Sequence, residues 1–192
     1  KRLLYIICAF IGSIIFITGF SLLVELIDRT LRDAYRSRRL TGLPVIAAFN
    51  GTNNLKYRGF LKACNRRAAA YACQQINGYL QPNRATIINL LSIEEREGKS
   101  SLAKYFAQYW ESEGLHVRIV NHDIDFEKES KSYVQAQQLS DFWQLNDAEQ
   151  QPDIILVEYP ALCHYDVPEK VLAESDFNLL VANAARLWSE KD

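Results

Sequence analysis

The sequence has no methionine among its 192 residues, and it contains little glycine (8), proline (5) or cysteine (4). The low glycine and proline content excludes collagen-like and low-complexity chains, and four cysteines are too few for a disulfide-dense miniprotein. Hydrophobic residues make up 48% of the chain, which excludes a disordered tail, and the length suits one domain plus an appendage. Because residue 1 is Lys and methionine is absent, we expect another segment of the parent protein to precede it.

The sequence also lacks the spacing that metal-binding side chains require. The four cysteines show no C-x-x-C pattern, and this favours reduced thiols in a cytoplasmic protein over a metal site. The three histidines, at positions 116, 122 and 164, share no ligand spacing, so we interpret them as surface or structural residues.

Formal charge is absent from residues 3–24, which read LLYIICAFIGSIIFITGFSLLV. A helix of that length spans roughly 33 Å, enough for a hydrocarbon layer of about 30 Å. A signal peptide would have a shorter apolar region and a small-residue cleavage site, and a buried core helix of this length without charge is unusual. The sequence therefore predicts a transmembrane helix over residues 1–27.

Basic residues around this segment predict its orientation. Two precede it, and five arginines follow it within about 15 residues: Arg29, Arg32, Arg36, Arg38 and Arg39. We therefore expect residues after about 27 to be cytoplasmic, with the arginines over an anionic leaflet. The position of this basic run beside a membrane helix favours lipid over nucleic acid as its partner.

Charge is also uneven along the chain, since residues 1–84 carry 13 basic and 3 acidic side chains and residues 85–192 carry 9 and 20.

The rest of the chain alternates between strand-like and helix-like segments, which predicts an α/β fold with a mostly parallel sheet covered by helices on both faces. Apolar runs predict strands at residues 43–49, 85–91, 116–120, 153–158 and 177–182. Composition and periodicity predict helices at residues 60–80, 100–113 and 133–143. We expect residues 28–59 to form a basic juxtamembrane linker with a short strand, and residues 60–192 to form the main domain.

A Gly-Lys-Ser sequence lies between a predicted strand and a predicted helix, in the segment SIEEREGKSS at residues 92–101. A strand, a loop and a helix N-terminus in this order can hold a phosphate, because backbone N–H groups and the helix dipole face the anion. Lys99 would reach the terminal phosphates, and the hydroxyl of Ser100 could bind magnesium. An exposed charged turn is the alternative interpretation of the same residues.

With this loop in place, nearly the whole chain resembles the second membrane helix and cytoplasmic domain of bacterial tyrosine kinases of the polysaccharide co-polymerase type. Five segments agree with that family in order and spacing. They are ELIDRT at 25–30, TGLPV at 41–45, the loop at 92–101 in place of the Walker A motif, VRIVNHDID at 117–125 in place of the second aspartate motif, and DIILVEYP at 153–160 in place of the Walker B strand.

The resemblance implies a P-loop NTPase-like fold that binds ATP or ADP with Mg²⁺ in the bacterial inner membrane. It also implies self-association into a homo-oligomer and partnership with polysaccharide assembly and export proteins. The implied nucleotide-binding residues are Glu97, Gly98, Lys99, Ser100 and Ser101. The implied catalytic residues are Lys99, Asp123 and Glu158, and the implied magnesium ligands are Ser100, Asp123 and Glu158.

The sequence departs from the family at several of these positions. Glu95 and Arg96 replace a Pro-Gly pair in the loop, and arginine resists backbone torsions that glycine accepts. Asn121 replaces the first aspartate of the second motif, Asp125 replaces its arginine, and Glu158 replaces the Walker B aspartate. The helix at 60–80 also lacks the E-x-x-R-x-x-R motif that the family uses for subunit contacts.

Three hypotheses follow from this combination. The first is a membrane-anchored kinase-like domain that binds nucleotide with weakened or lost catalysis, within a protein that controls polysaccharide chain length and export. The second is an active ATP-dependent tyrosine autokinase. The third is a purely structural co-polymerase subunit.

Overall fold

The computed structural model describes residues 2–28, 30–51, 55–145 and 151–188 of the chain. Its helices are α1 (Arg2–Ile27), α2 (Ala34–Thr41), α3 (Arg58–Asn77), α4 (Lys99–Ser112), α5 (Lys131–Val134) and α6 (Glu169–Glu174). Its strands are β1 (Thr86–Leu91), β2 (Val117–Asn121), β3 (Ile154–Glu158) and β4 (Phe177–Leu180). The chain forms two compact units, one spanning Pro44–Asn183 and the other built from Lys1–Leu43 and Ala184–Asp192.

The larger unit is built on a parallel sheet whose described strands lie in the order β2–β3–β1–β4. The strands form because β-branched and leucine side chains fill them, and both faces of β3 are buried. In the register of the sheet, Leu90 of β1 lies beside Glu158 of β3, and Asn121 of β2 lies on the other side of Glu158. The carboxyl ends of these three strands therefore meet at one edge.

Helices cover both faces of this sheet. On one face α3 and α4 pack against alternate strand residues, including Ile88, Leu90, Ile154 and Leu156. On the other face α5, α6 and the segment around Leu139 pack against the intervening residues, including Leu91, Ile155 and Val157. The expected α/β fold is thereby confirmed, with a parallel sheet between helices and one long apolar helix ahead of it.

Helix α1 is long and apolar enough over Tyr5–Ile27 to cross a membrane, and none of that stretch is buried.

The last turn of α1 is connected to α2 by hydrogen bonds between charged side chains. The Arg36 guanidinium donates to the carboxylates of Glu25 and Asp28, and the side chain of Asp33 caps α2 by accepting from the amide of Arg36. Sequence reasoning missed α2, although Asp33 at its start and Gly42 at its end are typical boundary signals.

The prediction of a helix over residues 133–143 is wrong. The structure has only the single turn of α5 and a separate 3-10 turn at Leu139–Asp141. The carboxylate of Asp141 accepts hydrogen bonds from the amides of Gln137 and Gln138, at 2.7 and 3.1 Å. Those amides are therefore not available to the carbonyls one turn earlier, and the helix cannot continue.

The prediction of a strand over residues 43–49 is also wrong, because residues 44–50 join no sheet. Ile46, Ala47 and Phe49 nevertheless pack on the core beside α3 and α4, so the apolar run marks burial and not strand pairing. Asn65 of α3 holds the end of this segment. Its side-chain oxygen accepts from the amide of Asn50 at 2.7 Å, and its Nδ2 donates to the carbonyl of Asn50 at 2.8 Å.

Candidate functional site

The carboxyl end of β1 runs through a short loop into α4, as the Gly-Lys-Ser spacing predicts. Gly98 is the N-cap of α4, with a left-handed φ of +103°, and no side chain caps the helix there. The first amides of a helix have no partners within the helix, and the helix dipole adds partial positive charge at this end. An anion that binds next to Gly98 would therefore meet donors that the fold itself leaves open.

The loop is held in shape by its own side chains. The carboxylate of Glu97 accepts from the amides of Ile93 and Glu94, at 3.1 and 3.2 Å, and the hydroxyl of Ser92 donates to the carbonyl of Glu94 at 2.7 Å. The resemblance implies that Glu97 binds nucleotide, whereas the structure shows its carboxylate bound to the loop itself. Arg96, which stands where the resembling kinases have a glycine, adopts a left-handed φ of +61°.

The segment that follows β3 packs directly on this loop. The amide of Leu162 donates to the carbonyl of Ser92 at 2.9 Å, and the amide of Cys163 donates to the carbonyl of Ile93 at 3.0 Å. These bonds fix the base of the loop to the sheet edge. Sequence reasoning gives residues 162–163 no role here, and no local motif marks them.

Lys99 lies at the first position of α4 and is buried. Its ammonium donates to the hydroxyl of Ser92, seven residues earlier. Burial lowers the pKa of Lys99 below its ordinary value, while the negative charges of Glu158, Glu97, Glu95 and Asp123 act in the opposite direction. The side chain is therefore a partly desolvated cation at a helix N-terminus, which is the group a phosphate would most stabilise.

Ser100 and Glu158, which the resemblance implies as magnesium ligands, lie close together. The hydroxyl of Ser100 donates to Oε2 of Glu158 at 2.5 Å, and Nδ2 of Asn121 donates to the same oxygen at 3.3 Å. Glu158 is almost fully buried at the end of β3. Ser101, the next residue of α4, is exposed.

Asp123 is more exposed than Lys99 and Glu158, the other two catalytic residues that the resemblance implies. Its side chain is 67% exposed and lies 3.3 Å from the Nε2 atom of His122, while its amide donates to the side chain of Asn121 at 2.8 Å. The nearby Asp125 is used structurally, because its carboxylate accepts from the amide of Asn121 at 2.7 Å. Asp123 therefore faces solvent at the rim of the site.

His122 belongs to this group of residues, although the sequence suggests only a surface or structural histidine. Its ring atom Nδ1 lies 3.2 Å from the carbonyl oxygen of Glu158, and its amide donates to the same oxygen at 3.2 Å. Burial lowers its pKa, with Asp123 and the Glu158 carbonyl acting in the opposite direction. The ring thereby ties the end of β2 to the end of β3.

The chemistry of these groups suits magnesium, although the described residues contain no group of three or more His, Cys, Asp or Glu side chains that could hold a metal ion. Magnesium prefers hard oxygen ligands and is usually held by one or two protein oxygens together with phosphates and water. The hydroxyl of Ser100 and the carboxylate of Glu158 are such a pair. A magnesium ion that arrives with a nucleotide therefore fits the site, whereas a metal held by the protein alone does not.

No family model matches the chain, and no curated protein matches it. Among solved structures, the fold aligns with that of a possible uridine kinase from Bacillus stearothermophilus, with a TM-score of 0.41 and 15% sequence identity. That alignment covers 62% of this chain and 80% of the other. The chain's own geometry is a parallel sheet with helices on both faces and a glycine-lysine-serine turn that leads from β1 into α4.

Proposed function

We propose that this protein is a membrane-anchored P-loop domain that binds a nucleotide polyphosphate and transfers phosphoryl groups weakly or not at all. The observation that carries the proposal is the placement of Lys99 and Ser100 at the β1–α4 junction, opposite Glu158.

Each part of the junction matches one requirement of polyphosphate binding. The amides at the start of α4, which no side chain caps, and the ammonium of Lys99 supply positive charge at the helix N-terminus. The hydroxyl of Ser100 and the carboxylate of Glu158 supply oxygens for a magnesium ion that a nucleotide brings. When bound, that ion would supply positive charge that offsets the negative charge of the phosphates.

Two features support weakened catalysis. Asn121 stands where the resembling family has an aspartate, and its neutral amide can neither take a proton nor contribute charge to a metal. The Asn121 amide also donates a hydrogen bond to Oε2 of Glu158, the same oxygen that accepts from the Ser100 hydroxyl. This carboxylate oxygen therefore already accepts two hydrogen bonds. The left-handed backbone at Arg96 adds strain in the loop that must fit around the phosphates.

The remaining parts of the proposal rest on the sequence. The order of five segments supports a tyrosine-kinase-like subunit of a polysaccharide chain-length and export protein, which self-associates and contacts polysaccharide assembly proteins. The arginine excess after α1 supports insertion in a bacterial inner membrane with the α/β unit in the cytoplasm.

Calorimetric titration of the detergent-solubilised full chain with ATP and with ADP, with and without magnesium, tests the nucleotide site. We expect Lys99→Ala to weaken binding by about tenfold to a hundredfold, since it removes a charge-assisted hydrogen bond from a buried site. Lys104→Ala, which changes an exposed lysine of the same helix, is the matched control and should leave affinity unchanged. Equal affinity of the Lys99→Ala variant and the unaltered chain would contradict the proposal.

Phosphotyrosine formation tests the catalytic part. The unaltered chain should show little or none, and the double variant Asn121→Asp, Glu158→Asp should show a clear increase. Strong phosphotyrosine formation by the unaltered chain would favour the active autokinase, and no gain in a double variant that still binds nucleotide would show that the defect lies elsewhere.

A further inference from the structure

The start of α3 forms an exposed surface of the α/β unit that the nucleotide site does not use. We call residues 55–62 the α3 tip. They comprise a 3-10 turn at Leu55–Tyr57 and the first residues of α3, and residues 55–60 are all exposed.

Large apolar side chains project from the α3 tip. Leu55 is 82% exposed, Phe60 is 70% exposed and Tyr57 is 51% exposed. Leaving three such side chains in water forgoes the free energy that their burial would release, so a surface of this kind indicates an interaction site.

Basic side chains alternate with the apolar ones. Lys56, Arg58 and Lys62 are exposed on the same tip, and the Lys56 ammonium lies 5.5 Å from the centre of the Tyr57 ring. No Asp or Glu occurs anywhere in residues 44–84, a segment that also contains Arg66, Arg67 and Arg84. An occupant that is both apolar and anionic therefore complements this surface.

A bilayer that contains anionic lipid is both apolar and anionic. The connection between α2 and the α/β unit is short enough to hold the α3 tip near such a bilayer. Residues 42–45 alone connect the end of α2 to Ile46, which packs in the core of the α/β unit. Because α1 is long and apolar enough to cross a membrane, so short a connection gives the α3 tip a high effective concentration at the lipid surface.

We infer that the α3 tip docks into the headgroup region of the anionic leaflet, with Leu55, Tyr57 and Phe60 entering the interface. Interfacial segments bind in this way through apolar burial combined with attraction of basic residues to anionic lipid. Tyrosine suits headgroup depth, because its ring is apolar and its hydroxyl stays hydrated. The inference rests on the membrane insertion of α1 that belongs to the proposed function, and it is independent of nucleotide binding.

The inferred docking of the α3 tip is tested by hydrogen exchange of the full chain in nanodiscs. Discs of phosphatidylcholine are compared with discs that also contain phosphatidylglycerol. We expect amides of residues 55–62 to exchange about tenfold more slowly in the anionic discs, and high salt should remove the difference. Phe60→Ser and the double variant Arg58→Gln, Lys62→Gln should each abolish it. Tyr71→Ser and Lys104→Gln, which alter exposed residues outside the tip, are the matched controls and should keep it.

Equal exchange in the two kinds of disc would overturn the inference. So would protection that rises with protein concentration in both lipids, because that result assigns the tip to a second copy of the chain. A chain that needs no lipid or detergent to stay in solution would instead show that α1 does not insert, which is a failure of the proposed function.

Discussion

Arg96 has a left-handed backbone in the loop between β1 and α4, a conformation that costs an ordinary L-residue roughly 1–2 kcal/mol. We expect Arg96→Gly to raise the free energy of unfolding by up to about 1 kcal/mol, because relief of strain exceeds the added freedom of the unfolded chain. Urea unfolding of the detergent-solubilised protein measures this change.

The neighbouring Glu95 provides the control for Arg96. Its φ is not positive, so Glu95→Gly only adds freedom to the unfolded chain and should lower stability. Equal losses of stability in the two glycine variants would show that the backbone at Arg96 is not strained.

Lys99 gives the site a dependence on pH. Burial lowers the pKa of this lysine below its ordinary value of 10.5, so the ammonium loses its charge at a lower pH than an exposed lysine would. Since phosphate binding needs the charged form, ADP affinity should fall as the pH rises towards that lowered pKa. Titrations from about pH 7 to about pH 10 measure this, and an affinity that stays constant over the range would contradict it.

At the scale of elements, the side chain of Asn65 fastens the segment before α3 to the core. Asn65→Ala would leave both backbone groups of Asn50 without their partner, at a cost of about 1–3 kcal/mol in the free energy of unfolding. Gln75→Ala, at an exposed position of the same helix, is the matched control. A loss no greater than that of the control would mean that water replaces the asparagine without cost.

The elements that the sequence predicted well are those whose pattern is local and strong. β1, β3 and α4 are marked by long apolar or periodic runs, so burial and secondary structure agree there. The segment at 43–49 is also apolar, but it is buried against α3 and α4 without joining a sheet, and such distant contacts cannot be read from a window of residues. The segment at 133–143 is interrupted because the carboxylate of Asp141 takes the amides of Gln137 and Gln138, a choice between local hydrogen bonds that composition alone does not decide.

The candidate site divides in the same way. Gly98, Lys99 and Ser100 could be found from the sequence because they are adjacent and form a local motif between a strand and a helix. Their surroundings depend on strand register, which places Asn121 beside Glu158 although 37 residues separate them. The same register explains the position of His122. This residue comes directly after β2, so its ring lies beside the carbonyl of Glu158 at the end of β3.

At the scale of the whole molecule, the proposed topology predicts which thiol reagents reach the chain. Cys163 is exposed in the α/β unit, whereas Cys73 is buried and burial raises its pKa to about 12. In intact bacterial cells a membrane-impermeant maleimide should leave Cys163 unlabelled, and cell lysis should allow labelling. The Cys163→Ser variant identifies the labelled site, and reaction of Cys163 in intact cells would reverse the orientation.

The order of strands has a consequence for biosynthesis. Ser100 is made 58 residues before Glu158, and β1 also pairs with β4, whose Phe177 lies beside Ile88. Strand pairing across such separations is slow, because a long loop must close before the first contact forms. The apolar helix emerges from the ribosome long before either partner strand. If α1 inserts as proposed, insertion into the bilayer would therefore come first, and the nascent polypeptide would complete its sheet while already tethered to lipid.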